Sequence, residues 1–157
     1  MRIAVGGDHA GYPLKETVVS ALKKFGHEVT DYGSFDSNPV DFPDITSEVC
    51  AAVLSGEADR AVMVCGTGVG ACIAANKIPG IRASVCHDIY SAHQCVEHDD
   101  VNVMCVGAQI IGPVIVEELL ESFLKAEFST KEEFRRRVEK LNEMERQYSS
   151  LKPAVSE

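Results

Sequence analysis

No stretch of the chain approaches the ~20 consecutive apolar residues that a membrane-spanning helix needs, so no such helix is expected. The opening Met1-Arg2-Ile3-Ala4-Val5 runs into Gly6-Gly7 too soon for a secretory leader. Positive charge is also scarce: 15 Lys and Arg stand against 24 Asp and Glu, a formal net charge of -9. That balance argues against an extended surface for nucleic acid or anionic membrane, while leaving room for a small cationic pocket. No Cys-x-x-Cys pair occurs among the six cysteines at 50, 65, 72, 86, 95 and 105. Most of them lie inside apolar segments, which reads as reduced thiols in a cytoplasmic protein rather than a disulfide framework. Internal repeats and linkers are likewise missing. What remains is 157 residues, 45% hydrophobic and 25% charged, enough for one core. Residues 1–157 are expected to form a single domain, with 130–148 as a final helix and 149–157 as a tail.

Short apolar runs alternate with stretches of helical period. Ile3-Ala4-Val5 ends at Gly6-Gly7, after which Leu14, Val18, Leu22 and Phe25 recur at helical spacing from Pro13 until Gly26. Glu28–Asp31 predicts a second strand, followed by a loop over 33–44 and a helix carrying Ile45, Val49, Ala52 and Val53. The third strand, Ala61–Cys65, runs into Gly66-Thr67-Gly68-Val69-Gly70 and a small-residue helix to about Asn76. Ala83–Cys86 and Val103–Val106 give strands four and five, separated by a helix from Ile89 to Glu97. A helix from Pro113 and a last one with Phe134, Val138, Leu141, Met144 and Tyr148 along one side complete the chain. The last stripe is narrow, and suits either a surface helix or an arm that packs on another subunit. Strands that are apolar throughout, separated by helices, require a parallel sheet covered on both faces. The predicted fold class is therefore α/β, a three-layer sandwich around a five-stranded parallel sheet with right-handed crossovers and a C-terminal helix.

Ligands of open parallel sheets bind beyond the carboxyl ends of the strands. That rule selects Gly6–Gly11, Cys65–Gly70, His87–Asp88 and Gly107–Gly112. Cys65 ends the third strand and precedes a glycine-rich loop opening a helix, where free amides favour negative charge. A thiol placed there should be more acidic than the free value of ~8.5. Asp8-His9 follows the first strand and is either a capping pair or part of the site. His98 falls in Glu97-His98-Asp99-Asp100, read as a polar turn, where a histidine flanked by carboxylates can act as acid or base. His87 and His93 with Cys86 and Cys95 invite a metal reading. Their spacing matches no common zinc pattern, so no metal site is expected.

Taken together, Gly6-Gly7-Asp8-His9-Ala10-Gly11 with Leu14-Lys15, Cys65-Gly66-Thr67-Gly68-Val69-Gly70, Ile73-Ala74-Ala75-Asn76-Lys77, Gly80-Ile81-Arg82-Ala83 and Asn102-Val103 with Gly107 and Gly112 resemble type B ribose-5-phosphate isomerases. That family includes the galactose- and allose-6-phosphate isomerases, and the resemblance spans roughly residues 1–148. It implies a Rossmann-like fold and an aldose–ketose isomerase that needs no cofactor and acts on a sugar phosphate. It also implies active sites at a homodimer interface, with dimers in some members pairing into tetramers. By resemblance, Cys65 is the base of an enediolate mechanism, and Thr67 with the amides of Gly66, Gly68, Val69 and Gly70 serves the developing oxyanion. His98, reaching in from the partner subunit and assisted by Asp8, would open the sugar ring. His9, Asp99 and Arg137 would contact substrate, His9 near the phosphate. Some members carry a glutamate where Ala71 stands, so this chain resembles the cysteine branch.

Several positions depart from the family pattern. Phe42 replaces a tyrosine, Asp99 an asparagine, Gln109 an arginine, and Glu133-Phe134-Arg135-Arg136-Arg137 stands for Arg-His-x-x-Arg. A clamp with fewer cations leaves the sugar, and the need for phosphate, open. Two other classes stand beside the isomerase. One is a nucleotide- or anion-binding module, which lacks the acidic residue usual after a ribose-binding glycine motif. The other is a thiol redox protein pairing Cys65 with Cys72.

Overall fold

A computed structural model describes residues 1–149. Five strands, β1 (Arg2–Gly7), β2 (Glu28–Asp31), β3 (Arg60–Cys65), β4 (Ala83–Val85) and β5 (Val103–Gly107), form one sheet in the order β2-β1-β3-β5-β4. Every neighbouring pair is parallel. Helices α1 (Tyr12–Lys24), α2 (Phe42–Leu54), α3 (Val69–Ala75), α4 (Ile89–Asp99) and α5 (Pro113–Lys125) cover it, and α6 (Glu132–Ser149) follows. The predicted α/β sandwich is the fold observed. Apart from Ser149, the expected 149–157 tail lies outside the described residues. None of the described helices is long and apolar enough to cross a membrane.

Alternation along the strands divides the core. Ile3, Val5, Val62, Val64, Met104 and Val106 pack with α1, α4 and α5, whereas Ala4, Ala61, Met63, Cys65, Val103 and Cys105 pack with α2 and α3. Leu22, Leu119 and Phe123 are fully buried on the first face, each stabilising the fold by ~1.5–3 kcal/mol. The smaller side chains of the second face (Ala71 and Ala75 on α3) bring its helices close to the sheet. Cys65 belongs to this second face, at the carboxyl end of a central strand.

Helix ends follow from local chemistry. Pro13 lies in the first turn of α1, where its missing N–H is no loss. Gly26 (φ +84°) ends that helix, the N–H of His27 bonding to Leu22 O and that of Gly26 to Lys23 O, the Schellman arrangement. Two boundaries differ from expectation. α2 begins at Phe42, because Pro43 is a first-turn residue rather than a loop residue. α4 continues to Asp99, placing His98 and Asp99 on its last turn; it ends only at Asp100, whose φ of 51° is left-handed. The α6 stripe divides as well: Phe134 and Val138 are buried, while Leu141, Met144 and Tyr148 are exposed.

Candidate active site

The chain leaves β1 toward β2 on one side and later toward β3 on the other, so the crevice of the sheet lies where β1 and β3 adjoin. Asp8 stands there immediately after β1, and Cys65 is the last residue of β3. Asp8 is buried (5% exposed) and serves two partners: Oδ1 accepts the Gly11 N–H at 2.8 Å and Oδ2 accepts the Cys65 thiol at 3.1 Å. One Asp8 oxygen binds the 8–11 turn that leads into α1, and the other binds the sulfur. The partner given to the sulfur is thus a carboxylate oxygen, and Cys65 keeps 7% of its surface open.

The close approach of α1 to β3 makes this pairing possible. A Cβ on Gly11 would lie 1.8 Å from the Val64 carbonyl oxygen, so only glycine lets the 8–11 turn sit against β3. The start of the 66–70 loop is anchored through carbonyls, Cys65 O before it accepting from Ala108 N at 2.8 Å and Gly66 O from Gln109 N at 3.0 Å. Its own N–H groups are not spent on that anchor. Gly68 (φ +81°) turns the chain into α3 where a side chain would press on the Val106 backbone. Thr67 is exposed, its Oγ1 accepting from Val69 N at 3.3 Å. Phe42 lies over Gly70, and the Gln109 carboxamide lies over Gly66, so both departures from the family pattern border this loop. His9 is exposed, with Nδ1 accepting the Val40 N–H at 3.2 Å.

The remaining candidates lie elsewhere. α4 starts beyond the carboxyl end of β4 and returns toward the amino end of β5. Its 11 residues span about 16 Å, which carries His98 and Asp99 to the opposite edge of the sheet from Cys65. His98 stacks on Phe134 of α6, ring centroids 4.0 Å apart, and the Arg137 guanidinium is 5.6 Å from that same ring. Arg136 pairs with Glu132 at 2.7 Å. No ion pair involves Arg135 or Arg137 among the described residues. One chain thus assembles Asp8, His9, Cys65 and Thr67 with Gly66, Gly68, Val69 and Gly70 at one end. His98, Asp99 and Arg137 are grouped at the other.

Other cysteines and histidines are differently employed. All six cysteines are free. Cys65 pairs with Asp8, while Cys72 faces Cys105, a contact that lowers the Cys72 pKa to about 7. Burial pushes the Cys50 thiol up to about 11. His87 Nε2 accepts the Gly107 N–H at 2.8 Å, and burial lowers its pKa. Asp88 caps α4 through Ser91 N at 2.7 Å. His93 forms an exposed pair with Glu97. Among the described residues no three His, Cys, Asp or Glu side chains are grouped to hold a metal.

Sequence reasoning missed Lys15 as more than a motif letter. It is a lysine with 3% exposure beside the crevice, bound to Asp31. Its place at the edge of the first helix's apolar stripe, next to Leu14, was the available signal.

A family model described as Ribose/Galactose Isomerase matches residues 3–141. A ribose-5-P isomerase B of Listeria innocua is 43% identical over 129 residues, 82% of this chain and 87% of that protein. A D-erythrulose-4-phosphate isomerase of Pectobacterium atrosepticum is 41% identical over 131 residues, 82% of this chain and 85% of its own. Among solved structures, the ribose-5-phosphate isomerase B of Clostridium thermocellum superposes with a TM-score of 0.92 at 44% identity, covering 95% of this chain and all of that one.

Proposed function

We propose, from the premise that this chain belongs to the ribose/galactose isomerase family, that it is a sugar-phosphate isomerase interconverting ribose 5-phosphate and ribulose 5-phosphate through an enediolate. The observation that carries this reading is the Cys65 thiol held 3.1 Å from Asp8 Oδ2 at the carboxyl edge of the sheet, beside a glycine loop. Aldose–ketose exchange moves a hydrogen between neighbouring carbons. It needs a group that takes a proton from carbon and donors that stabilise the oxygen left charged.

Cys65 fills the first role, with Asp8 Oδ2 taking its thiol hydrogen so that the sulfur can accept the one on carbon. The N–H groups of the 66–70 loop and the Thr67 hydroxyl fill the second. The sulfur then returns the proton to the adjacent carbon, the carbonyl moves by one position, and no electron leaves the sugar, so the reaction needs no cofactor. His9 donates to the phosphate. His98 opens the ring, with Asp99 and Arg137 beside it, and these three belong to the partner of a homodimer, which pairs further into a tetramer in some relatives by resemblance. Residues 1–157 act as one domain, in the cytoplasm.

A second substrate reading has its own support. The Pectobacterium relative named for D-erythrulose 4-phosphate is nearly as similar as the Listeria one named for ribose 5-phosphate. Phe42 and Gln109 also border the loop with side chains unlike the family pattern. A turnover screen over tetrose, pentose and hexose phosphates, with their unphosphorylated counterparts, separates the substrates. Cys65→Ala should lower turnover on the accepted sugar by about 10²–10⁴-fold with the fold intact; undiminished turnover would remove Cys65 as the base.

A further inference from the structure

The segment from Gly33 to Phe42 forms one wall of the crevice, and it has almost no apolar anchor of its own. What anchors its start is an ion pair between a buried lysine and a half-buried aspartate. Lys15, on α1, directs Nζ at both oxygens of Asp31 at 2.6 Å, and Asp31 ends the edge strand β2. A lysine at 3% exposure is unusual, because an ammonium loses its water there and an apolar pair of equal volume often stabilises a fold as well. An apolar pair could not supply the third bond: the same Asp31 Oδ1 accepts the Gly33 N–H at 2.9 Å. Phe35 closes over the ammonium, 4.7 Å from Nζ to the ring centroid, although the ring is 70% exposed.

From this fixed point the segment is tied to the site at three places. Gly7 and the 33–34 backbone exchange hydrogen bonds, Gly7 N donating to Gly33 O and Ser34 N donating to Gly7 O, directly before Asp8. Val40 N–H donates to His9 Nδ1 at 3.2 Å. Phe42 then covers Gly70. The Val40 bond has a chemical consequence. With its Nδ1 lone pair engaged, the neutral ring carries its hydrogen on Nε2, so the free edge of His9 is a donor.

We propose that Lys15 and Asp31 are positioning residues for substrate binding. Through the Gly33–Phe42 segment their ion pair holds His9 as the Nε2–H tautomer, aimed at an acceptor oxygen of the substrate, and sets Phe42 as the opposite wall. This rests on the isomerase reading above and adds to it two residues that touch neither substrate nor Cys65.

The test uses the full chain with Lys15→Met, which removes the charge at similar length, and with Val40→Pro, which removes the N–H facing His9 and fixes φ on a surface segment that Pro39 already stiffens. Lys15→Arg serves as the conservative variant. Two readouts are taken: KM and kcat on the sugar phosphate that wild type turns over, and the His9 tautomer from nitrogen-15 NMR of the substrate-free protein. Lys15→Met and Val40→Pro should each raise KM by about tenfold or more with kcat within a few fold. Both should replace the single His9 tautomer by a mixture, and Lys15→Arg should restore most of the wild-type KM. If Lys15→Met fails to fold, Asp31→Asn carries the same prediction. A folded Lys15→Met with wild-type KM and an unchanged His9 spectrum overturns the proposal, as does Val40→Pro leaving both untouched. Wild type inactive on every sugar phosphate would instead sink the isomerase reading, and the NMR arm still judges the link from Lys15 to His9.

Discussion

Mixing two inactive variants should restore activity if the site is shared between chains. Within one chain His98 lies at the opposite sheet edge from Cys65, because α4 returns about 16 Å along the sheet after β4. On the proposed mechanism Cys65→Ala and His98→Ala each remove one catalytic group, so each variant alone should lose about 10²–10⁴-fold in turnover. Equal amounts allowed to exchange subunits form mixed dimers in about half of all pairs. Each mixed dimer has one site with both side chains native and one with neither. Activity should therefore recover to about a quarter of wild type, far above either parent. The complementary experiment mixes wild type with the Cys65→Ala/His98→Ala double variant. Shared sites leave only wild-type homodimers active, again about a quarter, whereas sites confined to one chain leave about half. Ketose formation followed by NMR reads both. A mixture no more active than its parents, in subunits shown to exchange, would refute the division of the site, and full activity in His98→Ala alone would remove that residue from the chemistry.

Gly11→Ala tests the contact that joins Asp8 to β3. Its new Cβ would stand 1.8 Å from Val64 O and 2.3 Å from the carbonyl carbon, backbone atoms that cannot swing away. A loss of more than ~3 kcal/mol in urea unfolding is expected, and an unchanged midpoint would contradict the packing. The second test concerns His87, whose pKa is lowered mainly by burial and partly restored by Asp88. The native state then binds a proton less readily than the unfolded chain, whose histidine titrates near ~6.5. Its contribution to stability is full above that value and is lost as pH falls through and below it. His87→Gln, measured by denaturation at neutral and mildly acidic pH, should flatten the decline; an identical slope would show that other groups cause it.

The central strands β1, β3 and β5 were legible as apolar runs, β2 (Glu28-Val29-Thr30-Asp31) only from its place between a helix and a loop, and the crevice because strand ends and glycines mark it. The α4 boundary was not. Glu97 to Asp100 are polar and read as a turn, while the true stop is a left-handed Asp100 with no glycine to announce it. For α2 the signal was present, since Pro43 suits a first helical turn as well as a loop. Cys65, Thr67 and Asp8 could be named from their positions at the end of β3 and just after β3 and β1. That Asp8 touches Cys65 could not, because it depends on β1 and β3 being neighbours, a property of strand order. The burial of Lys15 was hidden for a related reason: its partner, Asp31, lies 16 residues away across a turn.

The direction of the chain explains why the candidate residues divide as they do. In a parallel sheet every helix must run back against the strands to start the next one. A residue that ends a strand or directly follows one, such as Cys65 or Asp8, falls at the ligand-binding edge. A residue late in a crossover helix, such as His98, falls at the far edge, and α6 extends that far group with Arg137 and Phe134. No rearrangement of side chains closes a gap set by the length of α4. A reaction that uses both groups therefore needs a second chain turned so that its far edge meets the first chain's near edge, and a twofold axis completes two such sites at once. Leu141, Met144 and Tyr148, the exposed continuation of the stripe begun by Phe134, lie on the same helix as Arg137. If the proposed dimer packs on this stripe, replacing these three residues by polar ones should weaken dimer and turnover in parallel, and unchanged association would show that it packs elsewhere.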